Sequence, residues 1–338
     1  MSKLSAAATL AATLDKVIGG NSDVQTVNNW LDTGYPPFNQ ILGGGVDTGV
    51  PFGRIIEIFG PSSSGKTALA TMMMIEAQRK GGIAMFNDHE NTFDLRLAKG
   101  MGLSDEYPFW VYKRPDTWEE SNTNAMKAAE AIRASKVIPP EAPIVIVFDS
   151  VASMIPKSVF EKGIDEYTMN DTTALARVTS TTLKAVNNYC SKFNVTLIYL
   201  NQIRTKPGVV YGDPTTTPGG QAMEFYATTR LSLGRTKIME DQGGGKKEMT
   251  GQIITVKTVK NKLTRPFQEV DLVMNFNDAG GIEFDPIASA VELLIEKGKI
   301  PYSKPRATWD GKQLFKKQLI QYIKDNNQKD ELFKLMLD

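Results

Sequence analysis

The sequence predicts an α/β fold: a mostly parallel central sheet, an antiparallel extension, a short N-terminal helix and a small C-terminal α/β unit. Three features carry that expectation. Strand-length apolar runs alternate with helix-length stretches from Arg54 to about residue 200, and one run flows straight into Gly60-Pro61-Ser62-Ser63-Ser64-Gly65-Lys66-Thr67. After Pro218-Gly219-Gly220 the apolar runs follow one another with no long helix between them. A parallel pairing needs a crossover long enough to hold a helix, whereas short connections leave consecutive strands antiparallel.

Residues 5–17 place leucines and a valine at helical spacing ahead of Gly19-Gly20, which predicts a short, weakly anchored helix. Residues 30–53 are rich in glycine and proline and read mostly as turns. The predicted strands are 55–59, 83–87, 109–112, 144–148 and 196–200, with helices over 68–80 and Trp118–Ser135. Asp116-Thr117 followed by Glu119-Glu120 fits a capping box at the start of the second helix. Further strands are expected over 228–233, 252–259 and 270–274, with a polar, Gly-rich hairpin tip at 241–247. Helices over 288–296, 313–326 and 329–337 complete the chain. The resulting division is a helical segment at 1–27, a core at 28–285 and a small C-terminal domain at 286–338.

Among its 338 residues the chain carries 39 Lys and Arg against 38 Asp and Glu, a formal net charge of +1. Any nucleic-acid contact therefore rests on local patches rather than an overall basic field. From residue 304 onward lysine and arginine modestly outnumber the acids, a surface that suits either solvent or duplex DNA. Cys190 is the single cysteine, which excludes an internal disulfide and a Cys-based zinc cluster. His89 is the single histidine, which argues against Ser-His-Asp chemistry or a histidine metal site. No apolar run reaches the roughly 20 residues of a membrane span, and the N-terminus lacks the pattern of a signal peptide. The expectation is a cytoplasmic protein with no membrane partner.

Strand, G-x-x-x-x-G-K-T loop and helix in that order form the setting in which this motif binds a nucleotide. Backbone N–H groups of Gly60, Pro61's neighbours, Ser62, Ser63, Ser64 and Gly65 can cradle phosphates, helped by the positive end of the helix. Lys66 supplies a point charge for the terminal phosphates, and Thr67 can ligate Mg²⁺. Each apolar strand then ends in polar residues: Asp88-His89-Glu90, Asp149-Ser150 and Asn201-Gln202. In open α/β sheets ligands bind at those strand ends. Asp149 fits the carboxylate held near Mg²⁺. Glu90 is the best placed to polarise an attacking water, with Asp88 and Asp94 competing on composition. Gln202 can donate to a phosphate and so report on nucleotide state.

At Asn201-Gln-Ile-Arg204 a specific resemblance emerges. The chain resembles the RecA family of homologous recombinases from about Gly34 to Ser303. Gly53-Arg-Ile-Ile-Glu-Ile-Phe-Gly-Pro, Val147-Phe-Asp-Ser-Val-Ala-Ser153, Thr217-Pro-Gly-Gly220, Glu224-Phe-Tyr-Ala227 and Val259-Lys-Asn-Lys262 carry it as well. The resemblance implies ATP and Mg²⁺ held by residues 60–67 and Asp149, with Asp94 also near the nucleotide. It implies Glu90 as the catalytic carboxylate and Gln202 as the link to DNA. Lys260 and Lys262 would reach a neighbour's γ-phosphate, so that hydrolysis needs a helical filament, with residues 1–27 packing between subunits. The DNA-binding loops would span 157–171 and 203–217, with Arg177, Arg204, Lys206, Tyr211, Gly219 and Gly220 contacting DNA. Single-stranded DNA and homologous duplex DNA are the implied partners, and DNA-stimulated ATP hydrolysis with strand exchange is the implied activity. A RecA-fold helicase or packaging motor is the competing reading, and the Lys260/Lys262 pair counts against it. A third is a non-enzymatic partner-binding member that keeps ATP as a structural element.

Overall fold

The computed structural model describes residues 3–19, 26–168, 171, 173–205, 215–241, 246–277 and 281–337. Helix α1 (Lys3–Ile18) leads the chain with Leu10, Leu14, Val17 and Ile18 all exposed. Strands β1 (Trp30–Leu31) and β2 (Val50–Pro51) pair antiparallel on either side of helix α2 (Pro36–Gly43). That helix falls where the sequence predicts mostly turns. Its prolines occupy the first turn, where a missing N–H breaks no helical bond, and Gly44 closes it at φ 95°.

The central sheet begins with β3 (Ile55–Gly60), β4 (Ile83–Asp88), β5 (Trp110–Lys113), β6 (Ile144–Asp149) and β7 (Val195–Gln202). Between and after them lie α3 (Lys66–Arg79), α4 (Leu95–Met101), α5 (Trp118–Ser135), α6 (Lys157–Phe160) and α7 (Ala174–Phe193). A two-residue ladder of β8 (Arg204–Thr205) and β9 (Thr215–Thr216) precedes α8 (Gln221–Tyr226). The sheet is completed by β10 (Thr229–Asp241), β11 (Lys247–Asn261), β12 (Glu269–Phe276) and β13 (Ile282–Phe284). Its nine strands run in the order β13-β12-β11-β10-β3-β7-β6-β4-β5. From β10 to β5 all neighbours are parallel, and the antiparallel extension starts only at β11.

Strand β6 shows why the parallel strands are continuous apolar runs. Val145 and Val147 face one core with Ile56, Ile58, Ile198 and Leu200; Ile144, Ile146 and Phe148 face the other with Leu197 and Tyr199. Leu69 and Met73 of α3 cover the first face, and Trp118 of α5 with Leu183 of α7 the second. Both faces are buried, so no polar alternation survives. The hairpin β10–β11 is longer than the sequence predicts, because its outer half is mostly exposed and carries no apolar alternation; most of the expected tip, 242–245, lies outside the described residues.

Helix α9 (Pro286–Glu296) leads into a three-stranded sheet of β14 (Tyr302–Ser303), β15 (Arg306–Trp309) and β16 (Lys312–Phe315). Helices α10 (Lys316–Asp325) and α11 (Lys329–Lys334) follow. The helix predicted over 313–326 is therefore corrected at its start. Asp310 and Gly311 both have positive φ and form the two-residue turn that brings Lys312 opposite Trp309. An ion pair from Lys324 to buried Asp285, 2.7 Å long, ties this unit to the core.

Candidate nucleotide site and nucleic-acid interface

Parallel pairing brings four strand ends to one edge. Gly60 lies opposite Gln202, and Asp88 opposite Asp149. The chain leaves β3 for β4, past two intervening strands of the sheet, which opens a crevice beside the strand that feeds the Gly60–Thr67 loop. Gly65 has φ +88°, and a Cβ there would meet Ile254 Cδ1 at 2.3 Å, so both backbone and space demand glycine. Residues 62–68, with Glu90, Asp149 and Gln202, line a cavity of about 250 Å³, while Gly60 and Pro61 do not.

Within it, the Lys66 ammonium donates to the Gly60 and Pro61 carbonyls at 3.1 and 2.9 Å. Burial lowers its pKa, opposed by Asp149 and Glu90. The Thr67 hydroxyl donates to Asp149 Oδ2 at 2.7 Å, so the two oxygens predicted to share a metal are adjacent. Asp149 is buried, which pushes its pKa up to about 6; the Thr67 bond opposes that, while the charges of Glu90 and Asp88 add to it. Among the described residues the buried Ser64 hydroxyl has no hydrogen-bond partner. An orphaned donor, a glycine cradle, a lysine and a hydroxyl–carboxylate pair together fit a nucleotide phosphate with Mg²⁺.

The acidic cluster sorts itself by hydrogen bonding. Asp88 accepts from the backbone N–H groups of Glu90, Asn91 and Phe93, and from the Tyr112 hydroxyl. It is thereby occupied in shaping the turn that presents Glu90. Asp94 caps α4, accepting from the N–H groups of Arg96 and Leu97, and pairs with Arg96; it does not line the cavity. Glu90 Oε1 accepts from Ser150 Oγ, from Ser153 Oγ at 3.3 Å and from Gln202 Nε2 at 3.1 Å. His89 Nε2 lies 3.0 Å from Ser121 Oγ, and burial lowers its pKa to about 4 despite Asp88 and Glu120. Ser150 and Ser153 escape the sequence reading because nothing local marks a serine as a carboxylate's partner.

Lys260 and Lys262 stand at the opposite edge. The end of β11 lies beside the start of β10, and Thr229 of β10 pairs with Ile56 near the start of β3. The structure therefore keeps both lysines away from the chain's own loop. Instead both ammonium groups close the carbonyl end of α8: Lys260 donates to Glu224 O and, at 2.9 Å, to Phe225 O, and Lys262 donates to Phe225 O at 3.2 Å. Burial, then Lys262 and Arg230, lower the Lys260 pKa to about 8.

Of the expected DNA contacts, Arg204 is exposed at the mouth of segment 203–217, and Arg177 is exposed on α7. Gly219 and Gly220 have φ +91° and +71°, and a Cβ on Gly220 would meet Ala176 of α7 at 2.9 Å. They let α8 start hard against α7. Lys206 and Tyr211 lie outside the described residues, as does part of segment 157–171. No helix among the described residues is long and apolar enough to cross a membrane.

Sheet order, loop and strand-end carboxylates together define the phosphate-loop class of α/β nucleotide-binding folds. The RecA N-terminal domain family matches residues 15–282, and the chain belongs to that family. It is 39% identical over 248 residues to "Protein RecA" of Wolbachia sp. subsp. Drosophila simulans (strain wRi), covering 73% of this chain and 64% of that protein. With "Protein RecA" of Thermus thermophilus the identity is 36% over 270 residues, covering 80% and 72%. "Protein RecA" of Citrifermentans bemidjiense is 38% identical over 268 residues, covering 79% and 73%.

Proposed function

We propose that the chain is an ATP-dependent DNA recombinase that forms filaments on single-stranded DNA and catalyses homologous pairing and strand exchange, with DNA-stimulated ATP hydrolysis. The observation that carries this reading is the Gln202–Glu90 hydrogen bond, 3.1 Å long. It joins the carboxylate facing the phosphate loop to the residue just before segment 203–217.

In this reading Lys66 and the loop N–H groups bind the phosphates, and Thr67 with Asp149 holds Mg²⁺, which neutralises phosphate charge when bound. Glu90 orients water and takes its proton; Ser150 and Ser153 fix its rotamer through Oε1. Gln202 cannot hold Glu90 and a phosphate with the same N–H, so nucleotide binding redirects it and shifts the segment it begins. Arg204, Lys206 and Arg177 track DNA phosphates, Tyr211 stacks on bases, and Gly219-Gly220 lets the backbone approach. Segment 157–171 forms the second DNA loop. Lys260 and Lys262 act on the nucleotide of a neighbouring subunit, against which α1 packs its exposed leucines.

ATP turnover with and without single-stranded DNA, across protein concentration, tests this. DNA stimulation that rises cooperatively with protein is expected. Rapid turnover without DNA, or stimulation independent of protein concentration, would transfer the chain to the motor class.

A further inference from the structure

Glu57 is a carboxylate sealed in the middle of β3, with no exposed surface. A charge in such a place persists only with partners, and an apolar residue of similar size would often be as stable. Glu57 has two. Oε2 accepts from Arg230 Nε at 2.6 Å, and Oε1 from Asn201 Nδ2 at 2.8 Å.

Both partners continue outward to the same segment. Asn201 donates to Pro218 O at 2.9 Å and accepts the Gln202 N–H at 3.0 Å. Arg230 stacks over Phe59, reaches Thr217 Oγ1 at 3.4 Å and pairs with Glu224 of α8 at 3.5 Å. One connected path thus runs Glu90–Gln202–Asn201–Glu57–Arg230–Thr217. It fastens the entry of segment 203–217 through Gln202 and its exit through Thr217 and Pro218, both to the strand that feeds the phosphate loop.

We infer that Glu57 and Arg230, with Asn201, form a positioning hub that makes the two ends of segment 203–217 respond together to the nucleotide site. This rests on the proposed DNA-dependent ATPase. The hub touches no reacting atom; it sets the geometry in which a change at Gln202 reaches the exit of the segment instead of dissipating at its entry. Uncoupling is its signature, because a structural ion pair would lower stability without altering how one ligand affects another.

The measurement is the factor by which a non-hydrolysable ATP analogue tightens binding of a fluorescent single-stranded oligonucleotide, in wild type, Glu57→Gln and Thr217→Val. Circular dichroism monitors folding, and a fluorescent nucleotide reports affinity without DNA. Glu57→Gln should leave DNA-free nucleotide affinity within about twofold yet cut the coupling factor about tenfold; Thr217→Val should cut it about threefold. A folded Glu57→Gln with wild-type coupling overturns the inference. Should that variant fail to fold, undiminished coupling in Thr217→Val overturns it. Wild type without any DNA-stimulated turnover overturns the proposed function beneath it, and the hub with it.

Discussion

Asp149 shows what a single residue gives up for its place in the site. Its folded pKa is raised to about 6, against an ordinary 3.8, chiefly by burial. A raised carboxylate contributes stability that is full below the unfolded value and lost as pH rises through the folded one. Without metal, the charged Asp149 therefore costs the fold on the order of 2 to 3 kcal/mol at pH 8. His89 runs the other way: its pKa is lowered to about 4, so its contribution is present above 6.5 and lost as pH falls through 4. Asp149→Asn should raise the melting temperature in EDTA at pH 8 more than at pH 4 while abolishing Mg²⁺-dependent turnover. Equal shifts at both pH values, by calorimetry, would refute the burial account. Glu90→Gln should retain nucleotide affinity but slow hydrolysis about 10²- to 10⁴-fold in a single-turnover assay; unchanged turnover places the base elsewhere. These residues are legible in the sequence because a strand, a turn and a charge are local patterns. The hub is not, since Glu57 meets its partners across 144 and 173 residues of chain.

At the scale of elements, legibility follows burial. Strands buried on both faces stand out, and so does α5, whose Thr117 hydroxyl accepts from the Glu120 N–H while Glu120 reaches back to Asp116 N. Thr117→Ala should cost about 1 kcal/mol in urea unfolding; no loss would show that water replaces the cap. The hairpin at Asp310-Gly311 and helix α2 stay hidden while glycine and proline count only as generic punctuation; their positions within the turn and the first helical turn carry the information. Leu10 and Leu14 of helix α1 are exposed and add no packing to its stability. Leu10→Ser with Leu14→Ser should therefore leave the melting temperature nearly unchanged yet weaken self-association in sedimentation velocity. Unaltered association would assign the contact to another surface.

At the scale of the whole molecule the two edges of the sheet differ in sign. Asp88, Glu90 and Asp149 gather where the strands end, while Arg54, Lys192 and Lys262 line a groove near where β3 begins. Head-to-tail contact between unlike edges is heterologous, closing into a ring or running on as an open helix according to the rotation between subunits. Lys260→Ala with Lys262→Ala should give a protein that binds nucleotide with wild-type affinity but shows no DNA-stimulated turnover; normal stimulation would remove the lysines from the neighbour's site. Those same ammonium groups are already engaged at home, on the carbonyls of Glu224 and Phe225. If they act on a neighbour's nucleotide as proposed, a joining subunit must first unlatch them, and the first few subunits would do so without a finished interface to offset the loss. Growth of the proposed filament should then begin with a lag that preformed seeds abolish, which would make its birth, more than its lengthening, the controlled step.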